Sequence, residues 1–125
     1  MTATNQRLLI GIVGPCAAGK STLVTGLAKY GYRTRHIAQE HSHVKDMWQR
    51  LTNPDLLIFL DVSYPVSLER KKLNWNEAEH SEQENRLRHA REHADFYLVT
   101  DALTPQDVLT KALTFIKEAN DAPSD

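Results

Sequence analysis

Three short apolar runs punctuate the chain: Leu8–Val13, Leu56–Leu60 and Phe96–Val99. The first two, apolar without polar alternation, mark strands buried on both faces, and the third is a further strand candidate. Between them the apolar positions take helical spacing. Leu23, Leu27 and Tyr30 recur at i, i+4 and i+7 within Lys20–Tyr30, one face of an amphipathic helix, and Gly31 stands where a C-cap belongs. Tyr32–Ala38 reads as a short strand, polar enough for a sheet edge. Val44, Met47, Trp48 and Leu51 share one side of a short helix, which Asn53-Pro54-Asp55 breaks. Ser63, with Pro65 in the first turn, opens a helix running to about Leu73. Thr104-Pro105-Gln106-Asp107 opens the last helix, whose buried stripe is Val108, Leu109, Ala112, Leu113 and Ile116. The tail after Ala119 reads as frayed. Strands alternating with helices predict an α/β domain, its parallel sheet covered on both faces. Right-handed crossovers then collect the loops after the strands on one edge, where ligands bind.

Composition narrows the class. The 125 residues suit one domain, are 41% hydrophobic and 25% charged, and carry a formal net charge of −1. That balance gives no general drive toward nucleic acid or an anionic membrane. Cys16 is the one cysteine, which rules out an intramolecular disulfide and fits a reducing cytoplasm. Met1–Arg7 is polar and lacks the apolar core of a signal peptide, and no apolar run approaches the length of a membrane span. The expectation is a cytoplasmic protein without a membrane partner; the oligomeric state, a homodimer included, stays open. Half of the positions from 69 to 92 are Asp, Glu, Lys or Arg, and this stretch is expected to be helical, solvated and mobile.

The chemistry concentrates after the first strand. Gly14-Pro15-Cys16-Ala17-Ala18-Gly19-Lys20-Ser21 fits G-x-x-x-x-G-K-[ST], with a strand before it and a helix after it. The glycines let backbone N–H groups curl toward phosphate oxygens, and the helix aims the positive end of its dipole at the same place. Lys20 is expected to reach the β- and γ-phosphates, and the Ser21 hydroxyl to ligate Mg²⁺. Thr22 completes the expected contacts. The ligand implied is a nucleoside triphosphate, ATP with Mg²⁺. Cys16, beside a helix N-terminus and a lysine, is either a reactive thiol or simply a small residue that fits the loop.

The second half resembles small P-loop kinases of the shikimate kinase and nucleoside monophosphate kinase group. Pro54–Ser63 with Leu68-Glu69-Arg70 looks like the late strand and following helix of thymidylate and shikimate kinases. Glu84–Asp95 and Thr100–Pro105 resemble the lid, last strand and last helix of shikimate kinase-like proteins. The resemblance implies a three-layer P-loop NTPase fold with a mostly parallel sheet of about four strands, and transfer of the ATP γ-phosphoryl group to a small-molecule acceptor. It also implies that Arg86, Arg88 or Arg91 closes over the phosphates, and that Asp101–Pro105 lines the adenine pocket. Arginine suits the task because its charged planar fork pairs with phosphate oxygens bidentately. These arginines can equally pair with Glu82, Glu84 or Glu92 on a solvated helix.

Where shikimate kinases carry paired aspartates, this chain has Ile37–His43, in which Glu40 alone is placed to act as a base or to hold a Mg²⁺-bound water. No glycine-rich acceptor loop and no separate strand lie between Ala38 and Asp55, so shikimate is not the expected acceptor. Asp61 ends an apolar strand as a Mg²⁺-organising acid does, yet by resemblance that strand does not usually supply it, and it can instead cap the next turn. His89-Ala90-Arg91-Glu92-His93 matches H-x-x-E-H, but a catalytic zinc needs a third ligand, and the motif falls in the lid-like stretch. His41-x-His43 has the spacing to bind a metal from a strand, but the two are expected as polar loop residues, and Trp48 and Trp75 as packing residues.

Overall fold

The structure is a computed structural model in which residues 8–71 and 76–121 are described. Its elements are β1 (Leu9–Val13), α1 (Lys20–Lys29), β2 (Arg33–His36), a single 3-10 turn (Gln39–His41), α2 (Met47–Leu51), β3 (Leu56–Asp61), α3 (Tyr64–Lys71), α4 (Glu77–Arg86), α5 (Arg88–His93), β4 (Phe96–Val99) and α6 (Pro105–Asp121). The four strands form one sheet in the order β2-β1-β3-β4, every pair parallel. The chain leaves β1 toward one edge and returns past it to β3, so the order reverses between β1 and β3. Crevices at such a reversal are where open α/β sheets hold ligands.

Helices cover both faces, and strand parity decides which residue meets which layer. Ile10, Ile12, Ile58 and Leu60 pack with Leu23 and Leu27 of α1 and Val108, Ala112 and Ile116 of α6. The alternate residues Val13, Leu57 and Phe59 pack with Ile37, Trp48, Leu87 and Ala90. Chain ends of the strands are tied by carboxylates: the Leu9 N–H donates to Asp55 Oδ2 at 2.7 Å and the Leu57 N–H to Asp95 Oδ2 at 2.7 Å.

The expected helix starts are formed by capping side chains. Thr104 Oγ1 accepts from the Asp107 N–H at 3.1 Å while Asp107 Oδ2 accepts from the Thr104 N–H at 3.0 Å. Gly31, at φ 89°, closes α1 in the left-handed conformation. The expected helix end at Leu73, Trp75, Met1–Arg7 and residues 122–125 lie outside the described residues; the last helix itself runs two residues beyond Ala119, to Asp121.

The charged stretch differs from its expectation as a solvated segment. Its outer face is polar, but His80, Gln83, Leu87 and Ala90 are buried, the last two completely. An Asn76–Glu79 capping box starts α4. One apolar residue at the α4–α5 junction and one alanine suffice to dock the pair on β3, which a count of charges does not reveal.

Candidate functional site

The loop between β1 and α1 is shaped by three positive φ angles, 152° at Gly14, 72° at Ala17 and 101° at Gly19. At Gly14 the constraint is also steric, because a Cβ there would stand 1.9 Å from the Leu60 carbonyl oxygen. The loop thus lies tight against β3, and only glycine permits it.

Lys20 is buried and folds back into this loop. Its Nζ donates to the carbonyls of Gly14 at 2.6 Å and Pro15 at 3.0 Å, and to Glu40 Oε2 at 2.8 Å. Glu40 is 3% exposed, and its second oxygen, Oε1, has no hydrogen-bond partner among the described residues. A buried ion pair repays desolvation only when its remaining lone pairs are satisfied. Here one oxygen is left wanting a donor or a cation. His36, nearby, is held below its ordinary value by burial and then by Lys20.

A cavity of about 500 Å³ opens over the loop, within the range of small-molecule sites. Residues Cys16 to Leu23 line it with His36, Glu40, Arg70 and Thr100, and Leu103, Pro105 and Val108 add apolar surface. Of the residues singled out in the sequence, Cys16–Thr22, Glu40, and Leu103 and Pro105 of the Asp101–Pro105 loop meet there. Gly14 and Pro15 stand behind them, holding Lys20 through their carbonyls.

The remaining candidates lie elsewhere. Asp61 has the parity of Phe59, which turns it to the α4–α5 face. Its carboxylate accepts from the Tyr97 hydroxyl and the Val62 N–H. Glu84 of α4 meets Asp61 there; burial first, then the Asp61 charge, push the Glu84 carboxyl up to about 7. Burial and Asp61 likewise push the Tyr97 hydroxyl up to about 12. Asp61 is not among the cavity-lining residues. Arg86 donates from Nη1 to the Glu40 carbonyl at 3.2 Å, and its Nε stands 3.2 Å from Glu82 Oε2 without hydrogen-bond alignment. Arg91 pairs with Glu84 at 3.6 Å, and Arg88 is exposed. None of the three lines the cavity. Trp48 is a packing residue, as expected, buried against His89 and His93 and donating from Nε1 to His89 Nδ1 at 3.1 Å.

Two side chains at the site were given no role by the sequence, although Arg70 stands in the Leu68-Glu69-Arg70 segment that carries the resemblance. Arg70, from α3, lines the cavity and ties its floor: Nη1 donates to the Ala17 carbonyl at 3.1 Å and to Thr100 Oγ1 at 2.8 Å, and Nη2 to the Thr100 carbonyl. Gln83, from α4, accepts from the Cys16 N–H at 3.0 Å and donates to Cys16 Sγ at 3.3 Å. Both reach the loop from more than fifty positions away, which only the sheet order brings about.

Comparison with protein-family models and with curated protein sequences gives no match. The class of the protein therefore rests on its fold, an α/β domain with four parallel strands flanked by helices. Among the described residues no helix is long and apolar enough to cross a membrane.

Proposed function

We propose that the chain binds a nucleoside triphosphate, ATP with Mg²⁺, in the cavity over Gly14–Ser21 and transfers its γ-phosphoryl group to a small-molecule acceptor. The observation that carries this reading is the mixed lining of the cavity: a glycine-shaped loop with a buried lysine, together with the apolar Leu103, Pro105 and Val108. The first suits phosphates, the second a base. Lys20, released from Glu40, is the group to meet the phosphates, and Ser21, exposed at the head of α1, is the hydroxyl to hold Mg²⁺. Arg70 joins Lys20 as a positive charge on the cavity wall, a task assigned above to Arg86, Arg88 or Arg91. Charge of this kind, fixed before reaction, is the main means by which phosphoryl transfer is accelerated.

A second reading, a nucleotide-binding module without phosphotransfer, is favoured by one observation. Between Ala38 and Asp55 there is only a 3-10 turn and the five-residue α2, which offers little structure to hold an acceptor.

Titration of Mg²⁺-ATP by calorimetry tests binding. Lys20→Ala should abolish it, and so should the double variant Lys20→Met/Glu40→Gln, which leaves no unpaired buried carboxylate. Undiminished affinity in both variants refutes the proposal. Incubation with γ-labelled ATP and pooled small metabolites separates the readings: label in a metabolite means kinase, free phosphate a slow NTPase, and bound intact ATP without turnover the module.

A further inference from the structure

We propose that Cys16, Glu40 and His41 form a site for a thiophilic divalent ion, zinc above all, set into the phosphate loop itself. The inference does not rest on nucleotide binding. Among the described residues this is the group whose thiol, carboxylate and imidazole atoms converge, all lying within 4.8 Å of one another. Cys16 Sγ is 3.9 Å from His41 Nε2, and His41 Nε2 is 3.7 Å from Glu40 Oε2. On a tetrahedral zinc ion, with bonds of about 2.3 Å to sulfur and about 2.1 Å to nitrogen and oxygen, ligand atoms sit roughly 3.4–3.6 Å apart. The thiol–imidazole and imidazole–carboxylate pairs are therefore a few tenths of an ångström from ligand spacing, and the thiol and carboxylate lie within 4.8 Å of each other.

A second observation points independently to a cation. Glu40 is 3% exposed, and its Oε1 has no hydrogen-bond partner among the described residues, so the carboxylate whose Oε2 faces the imidazole keeps a second, buried oxygen free for a cation. The ligand set selects the ion. Magnesium and calcium take oxygen donors, whereas thiolate with imidazole suits zinc and its neighbours. Binding replaces the Cys16 S–H bond by an S–metal bond and releases one proton to solvent. Three protein ligands leave a fourth position open, as in zinc sites that take water or an anion. Gln83 Nε2, donating to Cys16 Sγ at 3.3 Å, orients the sulfur as an outer partner does.

The opposing charge is Lys20, whose Nζ is 2.8 Å from Glu40 Oε2. His36 flanks both groups. An ion held by Glu40 would sit within a few ångströms of this ammonium, where the repulsion exceeds the worth of one hydrogen bond. Lys20 therefore weakens the site, and removing its charge should strengthen it.

Cobalt(II), a spectroscopic stand-in for zinc, tests the site in the full chain. One equivalent of Co²⁺ should give a thiolate-to-cobalt charge-transfer band in the near ultraviolet with intense visible bands of tetrahedral cobalt, and Zn²⁺ should bleach both. Cys16→Ser should remove the charge-transfer band. His41→Ala, at a side chain 61% exposed and so harmless to the fold, should weaken Co²⁺ binding at least tenfold, while His43→Ala should leave it unchanged. Lys20→Met should tighten it at least tenfold. A charge-transfer band that survives Cys16→Ser, Co²⁺ affinity indifferent to His41→Ala, or affinity unmoved by Lys20→Met overturns the proposal.

Discussion

Gly14 is the residue on which the loop turns. A methyl there would meet the Leu60 carbonyl oxygen at 1.9 Å, and the φ of 152° is already foreign to a side chain. Gly14→Ala is expected to cost about 3 kcal/mol or more, read as a fall in denaturation midpoint, because both the clash and the backbone strain must be relieved. Lys20 and Glu40 set a different balance. Taking away one partner of a buried ion pair costs about 3–5 kcal/mol, since the other stays charged and unsolvated. Lys20→Ala should thus lower thermal stability as well as ligand affinity, and Lys20→Met/Glu40→Gln should restore the stability alone. Glu84 carries the pH dependence. Burial and Asp61 raise its carboxyl from 4.5 to about 7, against a weaker opposing pull from Arg91. The folded chain then holds this proton more tightly than the unfolded one. The stability it contributes is full below pH 4.5 and is lost as pH rises through about 7. Glu84→Gln should flatten that decline, so its melting temperature should exceed that of the parent at pH 8 and match it near pH 4.5. Melts across this range that run parallel for the two proteins would contradict the Asp61–Glu84 juxtaposition.

Elements differ in how openly the sequence declares them. The runs Leu8–Val13 and Leu56–Leu60 name β1 and β3 because a strand covered on both faces has no polar position to interrupt it. The loop and α1 follow from glycine and lysine spacing, and α6 from its cap and stripe. The layer made by α4 and α5 was hidden. Its anchors are Gln83, Leu87 and Ala90 among many charges, and a glutamine buried by two hydrogen bonds has no hydrophobic signature. Arg70 was hidden for another reason: its meeting with Ala17 and Thr100 depends on strand order, which local patterns do not encode. Asp61, by contrast, was legible in part, since its parity with Leu57 and Phe59 already assigns it to one face of β3. Leu87→Ala tests the docking of this layer. Leu87 is fully buried, so truncation should cost about 2–5 kcal/mol in denaturant unfolding. A cost near zero would mean that α4 and α5 do not rest on the sheet.

Taken whole, the molecule spends its two cores on two different tasks. The α1–α6 core ties the β1–α1 loop to the sheet through Leu23 and Leu27, while the α4–α5 core carries Gln83 to the mouth of the same loop. A ligand that binds the folded chain stabilises it by mass action, by about 2.7 kcal/mol at a hundredfold excess over Kd. Mg²⁺-ATP should accordingly raise the melting temperature of the parent and leave that of Lys20→Met/Glu40→Gln unmoved. The Cys16 N–H has a further consequence. It is one donor with two claimants, the Gln83 amide oxygen now and any anion seated in the loop. Whatever takes the donor from Gln83 loosens α4 at its middle, so occupancy of the loop should be written into the exchange of amide hydrogens across Glu77–Arg86, a segment that begins 56 positions after Ser21. The far half of the chain would then serve as a readout of what the near half holds.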